Sequence, residues 1–325
     1  MTSPDDYQAI HERAALGAIA ERRQIAVAGP DRASFLQGLL TNDIESLAAG
    51  QGCYAAWLTP QGRMLCDLHV IESGDMILLD VPAAEVGPVA ERLEQFHFSE
   101  NVQITSLAES LRTVWVHGPQ AGQIVAVAAP REGTPYDEWA SYENTRTEID
   151  GMPVVVARID QLNVPGYVIY TDVQHETAVT KAITRTGALH ASPETLEAVR
   201  IEAGYPIFGV DMTHDTIPLE AGIEDRAISL TKGCYVGQEV IIRVLHRGGG
   251  RVARRLVRLQ IQGDAPQRGS KVFSGDREIG FVTSAAASPR LGAIALAYLH
   301  RDFVEGGVEV VVDLGEIRER AIVTA

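Results

Sequence analysis

Residues 232–239 read Lys232-Gly233-Cys234-Tyr235-Val236-Gly237-Gln238-Glu239. Directly after them, Val240, Ile241, Val244 and Leu245 fall at i, i+1, i+4 and i+5. That spacing predicts a helix, with Gly237 near its start and Glu239 in its first turn. Cys234 then lies just ahead of the positive end of a helix, two residues from Lys232. A cation and a helix N-terminus both lower a thiol pKa from its usual value of about 8.5. The plainer reading is a small buried hydrophobe, as most free cysteines are. The sequence leaves both open.

Upstream, Arg200-Ile201-Glu202-Ala203-Gly204-Tyr205-Pro206-Ile207-Phe208-Gly209-Val210-Asp211 ends a helix that begins at Ser192-Pro193. Ser192 suits the N-cap, and Leu196, Val199 and Ala203 make the apolar face. Gly204 and Pro206 stop the helix. Glu202 therefore sits in the last turn, where the helix dipole disfavours an anion by roughly 0.3–1 kcal/mol. Its carboxylate needs a donor: Arg200, solvent, or a ligand edge with two adjacent N–H groups, which a carboxylate accepts bidentately. Further upstream, Pro60-Gln61-Gly62 is a turn and Met64–Ile71 alternates as a strand. Asp67 shares a strand face with Leu65, His69 and Ile71, which puts it at an edge or in a pocket. A buried carboxylate there suits proton transfer or a bond to a cationic nitrogen.

Other strand candidates are Ile25–Ala28, Tyr54–Leu58, Met76–Val81, Thr113–Val116, Pro153–Ile159 and Tyr167–Thr171. Helical patterns fall at 4–18, after Gly29-Pro30-Asp31, at Ala83–Phe96, Glu176–Thr184 and Pro193–Ala203. Strands adjoin one another with few strict βαβ units, so the class is α+β with antiparallel sheets. Past Gly248-Gly249-Gly250, taken as a domain boundary, short strands follow at Arg255–Gln262, Lys271–Phe273, Ile279–Thr283, Ala293–Tyr298, Glu309–Val312 and Arg320–Val323. They predict a small barrel or jelly-roll-like unit.

The 325 residues carry 28 basic and 43 acidic side chains, a net charge of −15. This argues against a general nucleic-acid coat, which needs positive charge to displace counterions. Arg243, Arg247, Arg251, Arg254, Arg255 and Arg258 nonetheless crowd one segment. They read either as solvated residues with intrachain ion pairs or as a polyanion site. Three cysteines with no paired spacing indicate a reducing compartment and no resident metal site. The acidic start lacks a signal peptide pattern, and no apolar run approaches a membrane span, so the chain reads as cytoplasmic with no membrane partner. No phosphate-binding glycine loop is present.

Taken together, 232–239, 200–211 and 62–68, with Phe35–Asp43 and Pro218–Gly222, resemble the folate-binding proteins related to the glycine-cleavage aminomethyltransferase. The octapeptide is most similar to the YgfZ branch. The resemblance implies two interleaved α+β subdomains and a C-terminal β-barrel around a central folate channel. Residues 1–247 would form the folate-binding region, its second subdomain roughly 50–145, and 251–325 the barrel. The implied ligand is tetrahydrofolate or a one-carbon derivative. Glu202 matches the glutamate that holds the pterin edge. Asp67 aligns with the acidic pair near the reactive folate nitrogens, which reads Cys66-Asp67 here. Cys234 matches the branch's own cysteine. The candidate catalytic residues are Cys234, Asp67 and Lys232; the candidate folate-binding residues are Glu202, Asp67, Tyr205 and Arg243. The YgfZ branch implies an accessory role in assembly or repair of iron–sulfur enzymes, tRNA-modifying ones included, with those enzymes or assembly proteins as partners and no direct nucleic-acid contact expected. The alternative is a folate-dependent aminomethyl or methyl transferase. A third possibility is a scaffold that docks an acidic partner through its arginines.

Overall fold

A computed structural model describes residues 2–247, 251–315 and 317–324. In chain order, α1 (Pro4–Glu12) and β1 (Ala15–Leu16) lead into β2 (Arg22–Ala28), α2 (Arg32–Gln37), β3 (Gln51–Leu58), β4 (Met64–Glu72) and β5 (Met76–Pro82). Then come α3 (Val86–Gln95), β6 (Gln103–Ser106), β7 (Leu111–His117), α4 (Ala121–Ala128), β8 (Asn144–Ile149), β9 (Met152–Arg158), β10 (Gly166–Asp172), α5 (Glu176–Arg185) and β11 (Leu189–His190). The helices α6 (Pro193–Ala203), α7 (Pro218–Ala221), α8 (Glu224–Ala227) and α9 (Gln238–Arg247) precede the last strands. These are β12 (Arg254–Ile261), β13 (Lys271–Ser274), β14 (Arg277–Ser288), β15 (Gly292–His300), β16 (Glu309–Asp313) and β17 (Arg318–Thr324).

Three sheets result. One has the order β3-β4-β5-β2-β6, the second β11-β1-β7-β10-β9-β8, and β12 to β17 close into a barrel. The expected α+β class with a C-terminal barrel is what forms. All six expected barrel strands are present, and the expected boundary at 248–250 lies outside the described residues. The first sheet differs from the expected 50–145 unit. It takes in β2 from far upstream, while β7 joins the other sheet between β1 and β10. The reason is pairing: β2 lies antiparallel to β5 over its whole length, Arg22 opposite Pro82 to Ala28 opposite Met76.

Strand alternation sorts the first sheet into two unlike faces. Ile25, Val27, Cys66, Leu68, Val70, Ile77 and Leu79 form a dry core beneath Phe35, Leu36, Val89 and Leu93 of α2 and α3. The other face presents Arg22, Gln24, Tyr54, Asp67, His69 and Asp80, every one of them buried. Register explains the cluster, because Gln24 and His69 both lie opposite Asp80, and Tyr54 lies opposite His69. This face meets Trp115, Val168 and Tyr170 of the second sheet, with Ala26, Ile71 and Leu78 as apolar filling.

Helix α6 joins this seam to the barrel. Ser192 caps it through a bond from the Thr195 N–H, and Gly204, at φ 68°, ends it left-handed. In β15, Ala293, Ala295, Ala297 and Leu299 fill the barrel. The alternate residues Ile294 and Leu296 pack on Ile201 of α6. Helix α1 stops at Glu12, short of the periodicity that runs on to Ala18.

Candidate active site

Arg22 is the centre of the buried polar face. Its Nη1 donates to both oxygens of Asp67 at 3.3 and 3.2 Å, and its Nη2 to the Asp67 and Asp80 carbonyls at 3.2 and 2.5 Å. Its Nε lies 3.4 Å from Asp80 Oδ1. Tyr54 Oη donates to Asp67 Oδ2 at 2.8 Å, while Gln24 and Tyr170 donate to Asp80 at 3.2 and 3.1 Å. Burial works against the guanidinium charge, but Asp67 and Asp80 outweigh it and raise the Arg22 pKa. Burial raises Asp80, with Arg22 as the main counterweight. Burial also holds His69 far below its usual pKa, helped by Arg22 and Arg226, so the ring is neutral. Its Nδ1 meets Tyr142 Oη at 2.8 Å.

Asp67, placed by its strand parity in a pocket or at an edge, is thus in the interior, 2% exposed. Tyr205 joins it there. Gln161 Nε2 reaches Tyr205 Oη at 3.5 Å and His69 Nε2 at 3.4 Å. A cleft of about 10 Å³ between Arg22, Asp67, Trp115, Gln161 and Tyr205 has room for no more than one water. A roomier apolar cleft of about 320 Å³, walled by Met76, Leu78, Leu107, Leu111 and Tyr170, reaches none of the candidate residues.

Glu202 lies elsewhere. Its carboxylate accepts from Tyr7 Oη at 3.0 and 2.8 Å, from Ser288 Oγ, and from Arg290 Nη2 at 3.1 Å. The donor it needs therefore comes from α1 and the barrel. Arg200, the intrachain donor read from the sequence, instead pairs with Glu197 and Asp211. Glu202 is a junction among α1, α6 and β14.

The 232–239 segment forms a third location. Helix α9 begins after Gly237, at φ 86°. A Cβ on Gly237 would stand 2.5 Å from the Thr59 carbonyl oxygen and 3.4 Å from Gly62 Cα, so two backbones meet here without side chains. Lys232 Nζ donates to the carbonyls of Gln37, Leu40 and Asn42 at 2.6, 2.6 and 2.8 Å, closing the end of α2. Burial draws its pKa down to about 8. Its three protons point into that turn, which makes Lys232 a positioning residue for the segment. Cys234 is exposed, which removes the buried-hydrophobe reading. Cys66 is buried and Cys53 half-buried, and burial raises both thiols, Cys53 to about 12. Arg243 is exposed on α9. Of the arginine group, Arg254 pairs with Glu220, Arg255 with Glu224, and Arg258 donates to the Glu202 carbonyl. For Arg254 and Arg255 the intrachain ion-pair reading is the correct one.

The structure therefore brings Asp67 and Tyr205 together, and keeps Glu202, Cys234, Lys232 and Arg243 apart from them. It adds Arg22, Tyr54, His69, Asp80, Gln161 and Arg226. Part of this was signalled in the sequence by polar residues at alternate positions of otherwise apolar strands, Arg22 and Gln24 in β2 and Asp67 and His69 in β4.

Residues 2–232 match the GCVT N-terminal domain, and residues 254–325 match the glycine cleavage T-protein C-terminal barrel domain. The chain belongs to the glycine cleavage T-protein family. Among T-protein relatives, the aminomethyltransferase of Rubrobacter xylanophilus is 29% identical over 319 residues, 98% of this chain and 82% of that protein. The aminomethyltransferase of Bacillus subtilis is 28% identical over 324 residues, 98% and 87% of the two chains. The crystal structure of the glycine cleavage system aminomethyltransferase T from Bartonella henselae superposes with a TM-score of 0.87 at 23% identity. It covers 100% of this chain and 90% of its own, so the T-protein fold is shared from end to end. Among the described residues no helix is long and apolar enough to cross a membrane.

Proposed function

We propose that this T-protein family member binds a tetrahydrofolate in the seam between its two sheets and moves a one-carbon unit on it, as an aminomethyl or methyl transferase. The observation that carries the reading is Asp67, a carboxylate buried in the family's fold and fixed by Arg22 and Tyr54 beside an aromatic wall at Tyr205. The surrounding groups fit a pterin edge. Gln161 Oε1 and Gln24 Oε1 are buried without hydrogen-bond partners, two acceptors for ring N–H groups. Tetrahydrofolate supplies the amine that takes up the one-carbon unit. Asp67 would accept a hydrogen bond from that amine and take its proton as the new C–N bond forms. The aminomethyl donor's own C–N bond would break and its nitrogen leave as ammonia with that proton, while Arg22 and Tyr54 keep the carboxylate oriented. The neutral His69 adds no competing charge, and the close packing excludes water. Glu202 is a positioning residue in this scheme, since its oxygens already receive Tyr7, Ser288 and Arg290.

The test is formation of methylenetetrahydrofolate from an aminomethyl donor by the purified protein. Asp67→Asn should lower turnover at least 100-fold, in the range for a lost general acid–base group, with tetrahydrofolate binding within a few-fold of wild type. No turnover with any aminomethyl or N-methyl donor would remove the transferase reading. One observation favours a second reading, the YgfZ-type accessory role toward iron–sulfur enzymes: Cys234 presents an exposed thiol ahead of α9. Full rescue of a deletion strain's iron–sulfur enzyme activity by Cys234→Ala would end it.

A further inference from the structure

Arg226, half-buried in the four-residue helix α8, differs from the two buried arginines. Arg22 and Arg200 each lie against two carboxylates. The Arg226 guanidinium pairs with no carboxylate among the described residues, and its Nε is buried with no acceptor. What it touches are two aromatic faces. Its Cζ lies 4.7 Å from the centre of the Tyr54 ring and 4.2 Å from that of Tyr205. The two tyrosines are held independently of it. Tyr54 is fixed through its hydroxyl to Asp67, and Tyr205 through its backbone carbonyl, which accepts from Arg200 Nη1 at 2.7 Å. The walls are thus anchored by other bonds, and the flat group against them is not.

We propose that Arg226 is a resident plug, occupying the slot beside Tyr54 and Tyr205 that a flat nitrogen heterocycle takes when it binds. A guanidinium is planar and stacks on aromatic faces as a heterocycle does. Its distances fall near the low end of the roughly 4.5–7 Å found for stacked rings. The cleft on the other side of Tyr205, beside Asp67, has only about 10 Å³ free, too little for any ring, so a ring stacked on these tyrosines has to take the place of a side chain. Departure of the guanidinium leaves two aromatic walls and, one tyrosine length away, the Asp67 carboxylate. The ligand class is a pterin or a similar flat heterocycle carrying N–H donors. The inference rests on the folate reading of this seam and adds that binding displaces Arg226, so the wild-type protein binds below the intrinsic affinity of its site.

The experiment is calorimetric titration with 5-formyltetrahydrofolate of wild type, Arg226→Ala and Tyr205→Ala. Each cation–π contact is worth roughly two- to fivefold in an equilibrium. Loss of both in Arg226→Ala should therefore tighten binding about tenfold, while Tyr205→Ala, which removes a wall, weakens it. Weaker or unchanged binding by Arg226→Ala, with wild type still binding, overturns the plug and leaves the folate reading standing. Binding by Arg226→Ala alone supports the plug in its strongest form. No binding by wild type or Arg226→Ala, both folded, overturns the folate reading and the plug with it. A second measurement needs only wild-type protein. The Arg226 Nε–H resonance, shifted by two ring currents, should move toward its ordinary position on adding the same probe. A resonance that keeps its shift at saturation overturns the proposal even if Arg226→Ala does not fold.

Discussion

Arg22→Gln should be the most damaging single change in the seam, and its cost should depend on pH. The guanidinium lies against Asp67 and Asp80, all three side chains at most 7% exposed, and it feeds two backbone carbonyls. Removing one partner of a buried pair costs about 3–5 kcal/mol. Here two carboxylates lose their cation, so roughly 5 kcal/mol is expected at pH 8. Asp80 is already raised by burial, with Arg22 the first group holding it down. Without Arg22 its pKa climbs further. A carboxyl whose folded pKa exceeds its unfolded value near 3.9 favours folding at low pH, and that stability is lost as pH rises through the folded pKa. The deficit of Arg22→Gln against wild type should therefore shrink by about 2 kcal/mol between pH 8 and pH 5, at about 1.4 kcal/mol per pH unit for one proton. Urea denaturation at both pH values, read by circular dichroism, gives the numbers. Adding Asp80→Asn to Arg22→Gln should recover at least 2 kcal/mol at pH 8, although Asp80→Asn alone destabilises wild type. A deficit below 1 kcal/mol, an equal deficit at both pH values, or simple additivity of the two changes would refute the reasoning.

Other consequences follow from single sites. His117 is buried, and burial takes its pKa from 6.5 down to about 4, so it folds neutral. Stability present above pH 6.5 should fall by roughly 3 kcal/mol as pH drops to 4, and His117→Gln should flatten that part of the stability–pH curve. Gly237→Ala places a Cβ against the Thr59 carbonyl oxygen at a φ of 86°. A cost of roughly 3 kcal/mol is expected from backbone and overpacking strain, whereas Gly233→Ala, whose Cβ meets nothing within 4 Å, should cost under 1. Tyr7→Phe removes a hydroxyl from the Glu202 carboxylate and should cost about 2 kcal/mol, as a lost bond to a charged group does. It should also expose α1 to proteolysis before the rest of the chain. A thermal melt indistinguishable from wild type would show that Glu202 is not the junction described.

Local patterning made most elements readable. Ser192-Pro193 and Gly204 bound α6 as their capping chemistry requires, and all six barrel strands followed from alternation between turn residues. The elements that escaped were β6, β8, α4, the four-residue helices α7 and α8 and the two-residue strands β1 and β11. Gln103–Ser106 and Asn144–Ile149 are mostly polar edge segments, with little hydrophobic period to see. Ala121–Ala128 is apolar on almost every side, so its period is flat.

For the site, the sequence by itself determined that Asp67 shares a face with His69, that Glu202 needs a donor, and that Gly237 opens a helix. Those are facts of strand parity and helix geometry, fixed within a few residues. Only the tertiary structure decided what each one meets. Arg22 reaches Asp67 because β2 pairs with β5 across some 50 intervening residues, and Glu202 finds Tyr7 and Ser288 because α6 is packed between α1 and the barrel. Arg226 faces Tyr54 and Tyr205 by the same long-range closure. Periodicity says which way a side chain points. The partner that waits there is set by burial of the whole chain, because a buried charge must find its counterpart wherever the fold brings one.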